Sequence, residues 1–396
     1  MPSGLRKKKI AVVFHSANLQ SGATRSLMDI IDNLIKLNKY DFIGVFPEKE
    51  GSAVQHLQKQ GIETYAYHYG DLIQDLTQSR IKRTIKIPVL LLRHLRVLQQ
   101  AQKAKKELKD KGIDLVYANT SSIVFGGYLS DVLKCSNIWH IREFRVKDHR
   151  IKFYLGERWI KSFINKRAEK VLYVSRAVML ENADVISEKK AVITYNSYSS
   201  DFVDPKVQFH HKNKLNLMLA GDIKESKGQL VTIKAFHQAS TSHPDYKLEL
   251  YLAGRESNRE YYQEVKKYIE DNGLQEKVHL LGQVSDMKTL RRTMDIGIVA
   301  STCEAFGRTT IEGMLSNLAM IGRDSGGTKE QIKDGSTGLL YDGSVDGLAN
   351  CICRLYENRE ELERLAKNGF YEAVELHTKG RCYKLVESAI NEVLGK

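Results

Sequence analysis

The sequence predicts an α/β protein with two parallel-sheet domains. Short runs rich in β-branched and apolar residues alternate with longer stretches of helical periodicity. The runs are almost continuously apolar, as in strands of a parallel sheet that helices cover on both faces. The alternation stops after Asn196 and starts again at Leu215. With 396 residues and 42% hydrophobic content, the chain has enough material for two cores.

Each half has its own series of predicted strands. In the first half they are residues 9–15, 41–47, 62–68, 114–120, 137–143, 170–175 and 191–196, and in the second half 215–221, 247–254, 278–282, 296–301, 319–323 and 338–341. A polar segment with a proline, residues 197–214, is the expected linker. Residues 345–396 have helical periodicity throughout. We therefore predict domains at 1–205 and 206–375, and a last helix at 376–396 that packs back on the first domain.

The net charge of +13 is concentrated in the first half. Residues 80–111 contain eleven lysines and arginines and two acidic residues, mixed with leucines. Residues 145–170 contain nine basic and three acidic residues, mixed with four large aromatic ones. Such segments suit an anionic membrane surface, a nucleic acid or a solvated helix face. Zinc-finger, helix-turn-helix and RNP-like motifs are missing from the sequence, so we expect membrane contact and no nucleic acid.

The cysteines and the apolar runs indicate the compartment. The five cysteines are scattered and odd in number, and no secretory signal precedes the first predicted strand, which favours the cytoplasm. Cys351 and Cys353 lie in a helix-like stretch without a second ligand pair, so we expect packed thiols and no metal. The longest apolar run, residues 87–92, is too short to cross a bilayer.

Two motifs follow predicted strands of the second half. In "AGDIKESKGQ", Lys227 and Gly228 stand where a helix would begin, which suits an anion. In "STCEAFGRTTIEGM", residues 301–314, Glu304 and Glu312 lie on either side of Gly307. Carboxylates accept hydrogen bonds from sugar hydroxyls, while helix N–H groups and the side chains of Arg308, Thr309 and Thr310 suit phosphates. The order of these groups predicts a ligand made of a sugar, a diphosphate and a nucleoside; alternatively, both glutamates only suit a helix N-terminus.

The second half resembles the donor-binding domain of glycosyltransferase family 4, the retaining nucleotide-sugar transferases with the GT-B fold. The resemblance covers residues 215–345 and includes "AGDIKESKGQ", "VHLLGQVSD" and "DIGIVASTCEAFGRTTIEGMLSNLAMIGRDSGGTKEQIKDGSTGLLYD". Glu304 and Glu312 match the two glutamates of the family signature. The resemblance implies two Rossmann-like domains that face each other across a cleft, with the acceptor bound by the first domain and the nucleotide-sugar donor by the second.

The resemblance also implies roles for particular residues. The residues expected to bind the donor are Gly22, Asp222, Lys227, Gly228, Phe306, Gly307, Arg308, Thr309 and Glu312, and those expected in catalysis are His140, Glu304, Lys227 and Arg308. His140 would lie beside the transferred sugar. Gly22 matches one glycine of a loop that often has two, and Ser21 replaces the other. Asp222 replaces a common arginine, so we expect Lys227 and Arg308 to balance the diphosphate charge.

The function implied is that of a retaining, metal-independent hexosyltransferase without a cofactor. Its donor would be a nucleotide-diphosphate sugar, with UDP the first expectation. Its acceptor would be a saccharide carried on polyprenyl diphosphate, in bacterial cell-surface polysaccharide biosynthesis. The enzyme would work on the cytoplasmic face of the membrane as a peripheral protein, held through residues 80–111 and 145–170. The alternatives are a catalytically silent partner of an active transferase, a GT-B enzyme with another reaction such as an epimerase or phosphorylase, and a nucleic-acid-binding protein.

Overall fold

The chain folds into two compact units, each built on its own parallel sheet. The computed structural model describes residues 6–204 and 214–395. The first unit comprises Met1–Ser197 and Gly380–Lys396, and the second comprises Tyr198–Lys379. The predicted α/β architecture with two parallel-sheet domains is confirmed.

The first unit has a seven-stranded sheet. Its strands and those of a small additional sheet are β1 (Lys8–Val13), β2 (Tyr40–Phe46), β3 (Glu63–Ala66), β4 (Ile73–Asp75), β5 (Ile113–Asn119), β6 (Ser136–Ile141), β7 (Ile151–Phe153), β8 (Lys170–Tyr173) and β9 (Ala191–Ile193). The order in the large sheet is β3-β2-β1-β5-β6-β8-β9, with parallel pairing. β4 and β7 form an antiparallel pair that the sequence did not predict.

The helices of the first unit cover this sheet. They are α1 (Gly22–Lys36), α2 (Ser52–Lys59), α3 (Arg80–Ile85), α4 (Ile87–Leu108), α5 (Phe125–Leu133), α6 (Val146–His149), α7 (Glu157–Arg167) and α8 (Arg176–Asn182). Buried residues of β1 and α1, such as Ile10, Val12 and Ile31, share one core cluster with Ile390 from the C-terminal segment. The end of the chain therefore belongs to the core of the first unit.

The second unit repeats the architecture with a six-stranded sheet. Its strands are β10 (Leu215–Ala220), β11 (Leu248–Ala253), β12 (Val278–Gly282), β13 (Ile296–Val299), β14 (Ala319–Arg323) and β15 (Leu339–Tyr341), in the order β12-β11-β10-β13-β14-β15. Its helices are α9 (Gln229–Ser242), α10 (Arg259–Asp271), α11 (Met287–Arg292), α12 (Arg308–Met314), α13 (Thr328–Gln331), α14 (Val345–Glu357) and α15 (Arg359–His377). The last helix, α16 (Arg381–Val393), lies in the first unit. Each predicted strand is present, with ends that differ by up to three residues.

The borders of the units differ from the predicted ones at 205/206 and 375/376. Residues 198–204 attach to the second unit, because Tyr198 N–H donates to the carbonyl of His377 at 2.9 Å and Asp204 N–H donates to that of Leu315 at 3.0 Å. Asp204 also forms an ion pair with Arg292 at 2.8 Å. Of the predicted linker, residues 205–213 lie outside the described part of the chain.

Candidate functional site

Two loops of the second unit bring a lysine and a glutamate together. Strands β10 and β13 are parallel neighbours, so the loops that follow them leave the same edge of the sheet. Thr302 N–H donates to the carbonyl of Ser226 at 2.9 Å and joins the loops. The ammonium of Lys227 then lies 2.5 Å from Oε1 of Glu304. Both side chains stay partly exposed, at 26% and 16%, so a ligand can reach them.

Two glycines shape the backbone around this pair. Gly228 has φ +75°, and a Cβ there would lie 2.4 Å from the carbonyl oxygen of Ala300. Gly307 has φ +82° and precedes α12. Side chains would be strained at both positions, which explains the need for glycine. Of the other predicted donor residues, Phe306 is buried and Thr309 is half-buried at the start of α12.

The second glutamate of the signature binds two arginines. Glu312 forms ion pairs with Arg291 of α11 and with Arg308, whose Nε lies 3.5 Å from Oε1 of Glu312. The guanidinium of Arg308 also lies 4.8 Å from the ring centre of Tyr198. Arg308 is thus held beside Glu312, and Lys227 is held beside Glu304. Arg291 was not predicted, because its place on a neighbouring helix is a matter of tertiary packing.

Arg255 is the cation that accompanies Asp222. Its Nε and Nη2 donate to the two carboxylate oxygens of Asp222 at 3.0 and 3.2 Å. Sequence reasoning missed Arg255, although the signal is present: "LAGD" ends β10 and "LAGR" ends β11, and Ala220 pairs with Ala253 in register. Asp222 and Arg255 follow these two alanines by two positions, just past the ends of the strands, and their opposite charges lie side by side.

Two predicted residues of the first unit have different environments. Gly22 begins α1, directly after Ser21, at the carboxyl end of β1. His140 lies inside β6 with no exposed surface, and its ring contacts Tyr117 at 2.8 Å and Thr194 at 3.2 Å. Burial, together with Arg142, lowers the pKa of His140 well below its usual range. His140 stays a predicted site residue, and the structure adds that its ring is buried and neutral near the carboxyl end of β6.

The basic segment 80–111 forms α3 and α4 and exposes many apolar side chains. One face of α4 is buried, and His94 on that face contacts the hydroxyls of Tyr154 and Tyr128 at 2.7 and 2.8 Å. The large apolar residues that remain exposed on these helices, by 38% to 74%, are Ile81, Ile85, Ile87, Val89, Leu91, Leu92, Leu95 and Leu98. Residues 80–106 contain no acidic residue. We call the exposed face of residues 80–98 the basic apolar face.

The second basic segment, residues 145–170, does not have such a face. Phe153 and Phe163 are buried, and both stack on Trp159, with ring centres 4.9 and 5.0 Å away. Its basic side chains that form ion pairs include Arg145, Lys147, Lys161, Arg167 and Lys170. Membrane contact through this segment stays a prediction, but Phe153, Tyr154 and Phe163 are buried and do not offer their rings to it.

The described ranges contain neither a candidate membrane span nor a candidate metal cluster. There, no helix joins the length and the apolar character that crossing a bilayer requires. Residues 6–204 and 214–395 likewise contain no group of three or more His, Cys, Asp or Glu side chains arranged to hold a metal ion.

Comparisons with known proteins agree with the resemblance seen in the sequence. Residues 200–371 match the family model described as glycosyl transferases group 1. A curated relative, the D-inositol 3-phosphate glycosyltransferase of Paenarthrobacter aurescens (strain TC1), is 29% identical over 160 residues. That match spans 39% of this chain and 39% of the relative.

Solved structures show the same fold over nearly the whole chain. A crystal structure of Anabaena Alr3699/HepE in complex with UDP and glucose has a TM-score of 0.74 at 20% identity, and covers 97% of this chain and 99% of the other. A glycosyltransferase from Rickettsia africae ESF-5 has a TM-score of 0.78 at 19% identity, with 98% and 99% coverage.

Proposed function

The chain belongs to the GT-B glycosyltransferases of the family 4-like group, and from this we propose that it transfers a sugar from a nucleotide diphosphate to a saccharide acceptor. The observation that carries the proposal is the pairing of Lys227 with Glu304 at 2.5 Å. It joins a cation for a diphosphate and a carboxylate for sugar hydroxyls at the carboxyl edge of one sheet.

The chemistry follows from where charge develops. When the bond between the anomeric carbon and the diphosphate breaks, negative charge grows on the leaving oxygen and the sugar becomes cation-like. A fixed ammonium such as that of Lys227 stabilises the leaving group, because it is in place before the reaction. Glu304, once it exchanges this ammonium for the donor, binds hydroxyls of the transferred sugar. Retention of the anomeric configuration and independence from metal ions are part of the proposal.

The nucleoside is proposed to be bound at the other end of α12. Glu312 offers a carboxylate for the ribose hydroxyls, and Arg291 and Arg308 hold it in place. Uridine is the first choice of base, since the Anabaena structure of the same fold contains UDP.

The acceptor is proposed to be a saccharide linked to polyprenyl diphosphate, used in bacterial cell-surface polysaccharide biosynthesis. The support is the basic apolar face of α3 and α4. Apolar side chains surrounded by lysine and arginine suit the boundary between anionic headgroups and acyl chains. Each basic residue near such a surface contributes about 1 kcal/mol. We infer a peripheral enzyme on the cytoplasmic face of the membrane.

A donor panel tests the transferase activity. The purified full chain is incubated with UDP-, GDP- and ADP-sugars, with and without a polyprenyl-diphosphate saccharide, and release of nucleoside diphosphate is measured. We expect one donor to turn over, and Glu304→Gln to lower the rate about 100-fold, because a transition-state contact is lost. Glu276→Gln removes an exposed carboxylate of the same unit and serves as the control.

Absence of turnover and of calorimetric binding for every donor would contradict the proposal. Binding of a donor without turnover under all acceptor conditions would instead support the catalytically silent partner.

A further inference from the structure

Residues 198–204 form a segment that lies along α12, at the start of the second unit. At one end of the helix, the hydroxyl of Tyr198 donates to the carbonyl of Arg308 at 3.1 Å. At the other end, Asp204 N–H donates at 3.0 Å to the carbonyl of Leu315, which follows the last residue of α12. The segment is therefore bonded to both ends of the helix whose first residue is Arg308.

Tyr198 is held from several sides inside the second unit. Only 3% of it is exposed, and its N–H donates to the carbonyl of His377, the last residue of α15, at 2.9 Å. Its ring meets the ring of Phe202 edge-on, with the ring centres 5.2 Å apart. The ring of His377 in turn packs edge-on against Phe306, with the ring centres 5.7 Å apart. Because a buried ring with such contacts has little freedom to move, Tyr198 offers a fixed surface to its neighbours.

The side chain of Arg308 lies on this surface. Its guanidinium carbon is 4.8 Å from the centre of the Tyr198 ring, within the range of a cation–π interaction. The ring attracts a cation through its quadrupole but has no net charge, so it does not neutralise the positive charge of Arg308. The side chain of Arg308 is 19% exposed. A ligand with negative charge can therefore bind the guanidinium while the ring stays in contact with it.

Arg291 holds Glu312 more closely than Arg308 does. Nη2 of Arg291 donates directly to Oε2 of Glu312, and the side chain of Arg291 is only 9% exposed. Nε of Arg308 lies 3.5 Å from Oε1 of Glu312, at the outer limit of a hydrogen bond. Arg308 can therefore turn from Glu312 to a ligand while Arg291 keeps the carboxylate in place.

The proposed donor brings its diphosphate next to Arg308. Glu304 and Glu312 are proposed to bind the transferred sugar and the ribose, and Arg308 lies between them on the chain. We propose that Tyr198 is a positioning residue for the diphosphate: its ring holds the guanidinium of Arg308 where the phosphate oxygens bind. A fixed cation binds an anion better than a mobile one, because less side-chain freedom is lost on binding. This inference rests on the proposed function, and it adds a residue outside the predicted site.

Fluorinated rings test this contact with little change of its shape. Tyr198→Phe removes the hydroxyl and keeps the ring, so we expect the affinity for UDP to stay within about 3-fold of the wild type. Phenylalanines with one, two and three fluorine atoms at position 198 then weaken the negative face of the ring step by step. We expect the affinity for UDP to fall progressively, by about 5- to 10-fold in total, because less attraction holds Arg308 in place. A ring that only fills space would tolerate the fluorine atoms without loss of affinity.

Two comparisons show whether the effect depends on Arg308 and on the phosphates. In Arg308→Met the cation is gone, so the fluorinated rings are expected to change the affinity for UDP by less than about 2-fold. Uridine has no phosphate, so its affinity is expected to be equal in all variants. The matched control is the same series at Tyr246, which is 7% exposed, has a bonded hydroxyl and belongs to the same unit. Calorimetry measures UDP, ligand-observed NMR measures uridine, and circular dichroism checks that each variant is folded.

The sign of the change decides the outcome. Equal affinity for UDP across the fluorinated series, a matching fall for uridine, or an equal fall in the Arg308→Met background overturns the inference. A rise in affinity also overturns it, since the ring would then hold Arg308 away from the phosphates in the free protein. GDP with guanosine, or ADP with adenosine, replaces the uridine probes if the wild type prefers that base. Failure of the wild type to bind any of the three nucleoside diphosphates contradicts the proposed function instead.

Discussion

Asp222 adds a negative charge next to the proposed phosphate site, and Arg255 balances that charge. A carboxylate beside a diphosphate is unfavourable by itself. The side chain of Lys227 passes over Gly221, since a Cβ on that glycine would lie 3.5 Å from Cδ of Lys227, so Asp222 is next to the proposed phosphate site. Arg255 binds both carboxylate oxygens and neutralises them. The positive charge that balances Asp222 therefore comes from Arg255, at the end of β11.

A double-mutant cycle on UDP binding tests this interpretation. Arg255→Ala leaves Asp222 uncompensated and is expected to weaken UDP binding about 5- to 10-fold. Removing both side chains also removes the repulsion, so Asp222→Ala/Arg255→Ala is expected to stay within about 3-fold of the wild type. Calorimetry measures the affinities, and exposed Arg259→Ala is the control. Equal losses in the single and double variants would disprove the compensation.

At the scale of elements, α3 and α4 explain the uneven charge of the first half. Helix α4 has more large apolar residues than its buried face can use. Leu90 and Val97 are buried, whereas Leu91, Leu92 and Leu95 are exposed. Large exposed apolar patches with basic surroundings are typical of surfaces that bind membranes. In contrast, the aromatic residues of α7 and β7 are used inside the first unit.

Flotation with vesicles tests the basic apolar face. Replacing Leu92 and Leu95, which are 59% and 48% exposed, by glutamate removes apolar area and lowers the local positive charge. We expect binding to phosphatidylglycerol-containing vesicles to fall about 100-fold or more. Leu180→Glu, at a site that is also 59% exposed, is expected to have no effect. Unchanged flotation of the double variant, with native circular dichroism, would disprove the membrane role of α4.

At the scale of the molecule, the chain finishes the first unit only after the second is complete. Helix α16 adds Val386, Ala389 and Ile390 to the core that contains β1 and α1. The hydroxyl of Tyr40 also donates to Asn391 of this helix at 2.6 Å. The first unit is therefore incomplete without the last residues of the sequence.

Urea unfolding of a core variant tests this dependence. Ile390→Ala removes a fully buried side chain and is expected to lower the free energy of unfolding of the first unit by about 2–5 kcal/mol. UDP affinity in native buffer is expected to remain unchanged, since the proposed donor residues Lys227, Glu304 and Glu312 belong to the second unit. Exposed Leu155→Ala is the control. An equal, small effect of both substitutions would show that α16 contributes little.

The sequence by itself determined the strands of the two large sheets and the donor motifs, but not the small pair of β4 and β7. Apolar periodicity is local, and so is the spacing from Glu304 to Glu312, which is why both can be read along the chain. The resemblance named Lys227 and Glu304, although they are far apart in sequence. It also named His140 at a strand end, and the structure adds that this side chain is buried there.

Only the tertiary structure decided which charges meet. Arg255 pairs with Asp222 and Arg291 with Glu312 because neighbouring strands and helices bring them together. The similar strand ends "LAGD" and "LAGR" hint at the first pair, but only the strand register places the two side chains together. The two basic segments look alike in composition, yet the first exposes eight large apolar side chains and the second buries both of its phenylalanines. Burial depends on contacts between distant parts of the chain, and composition does not contain them.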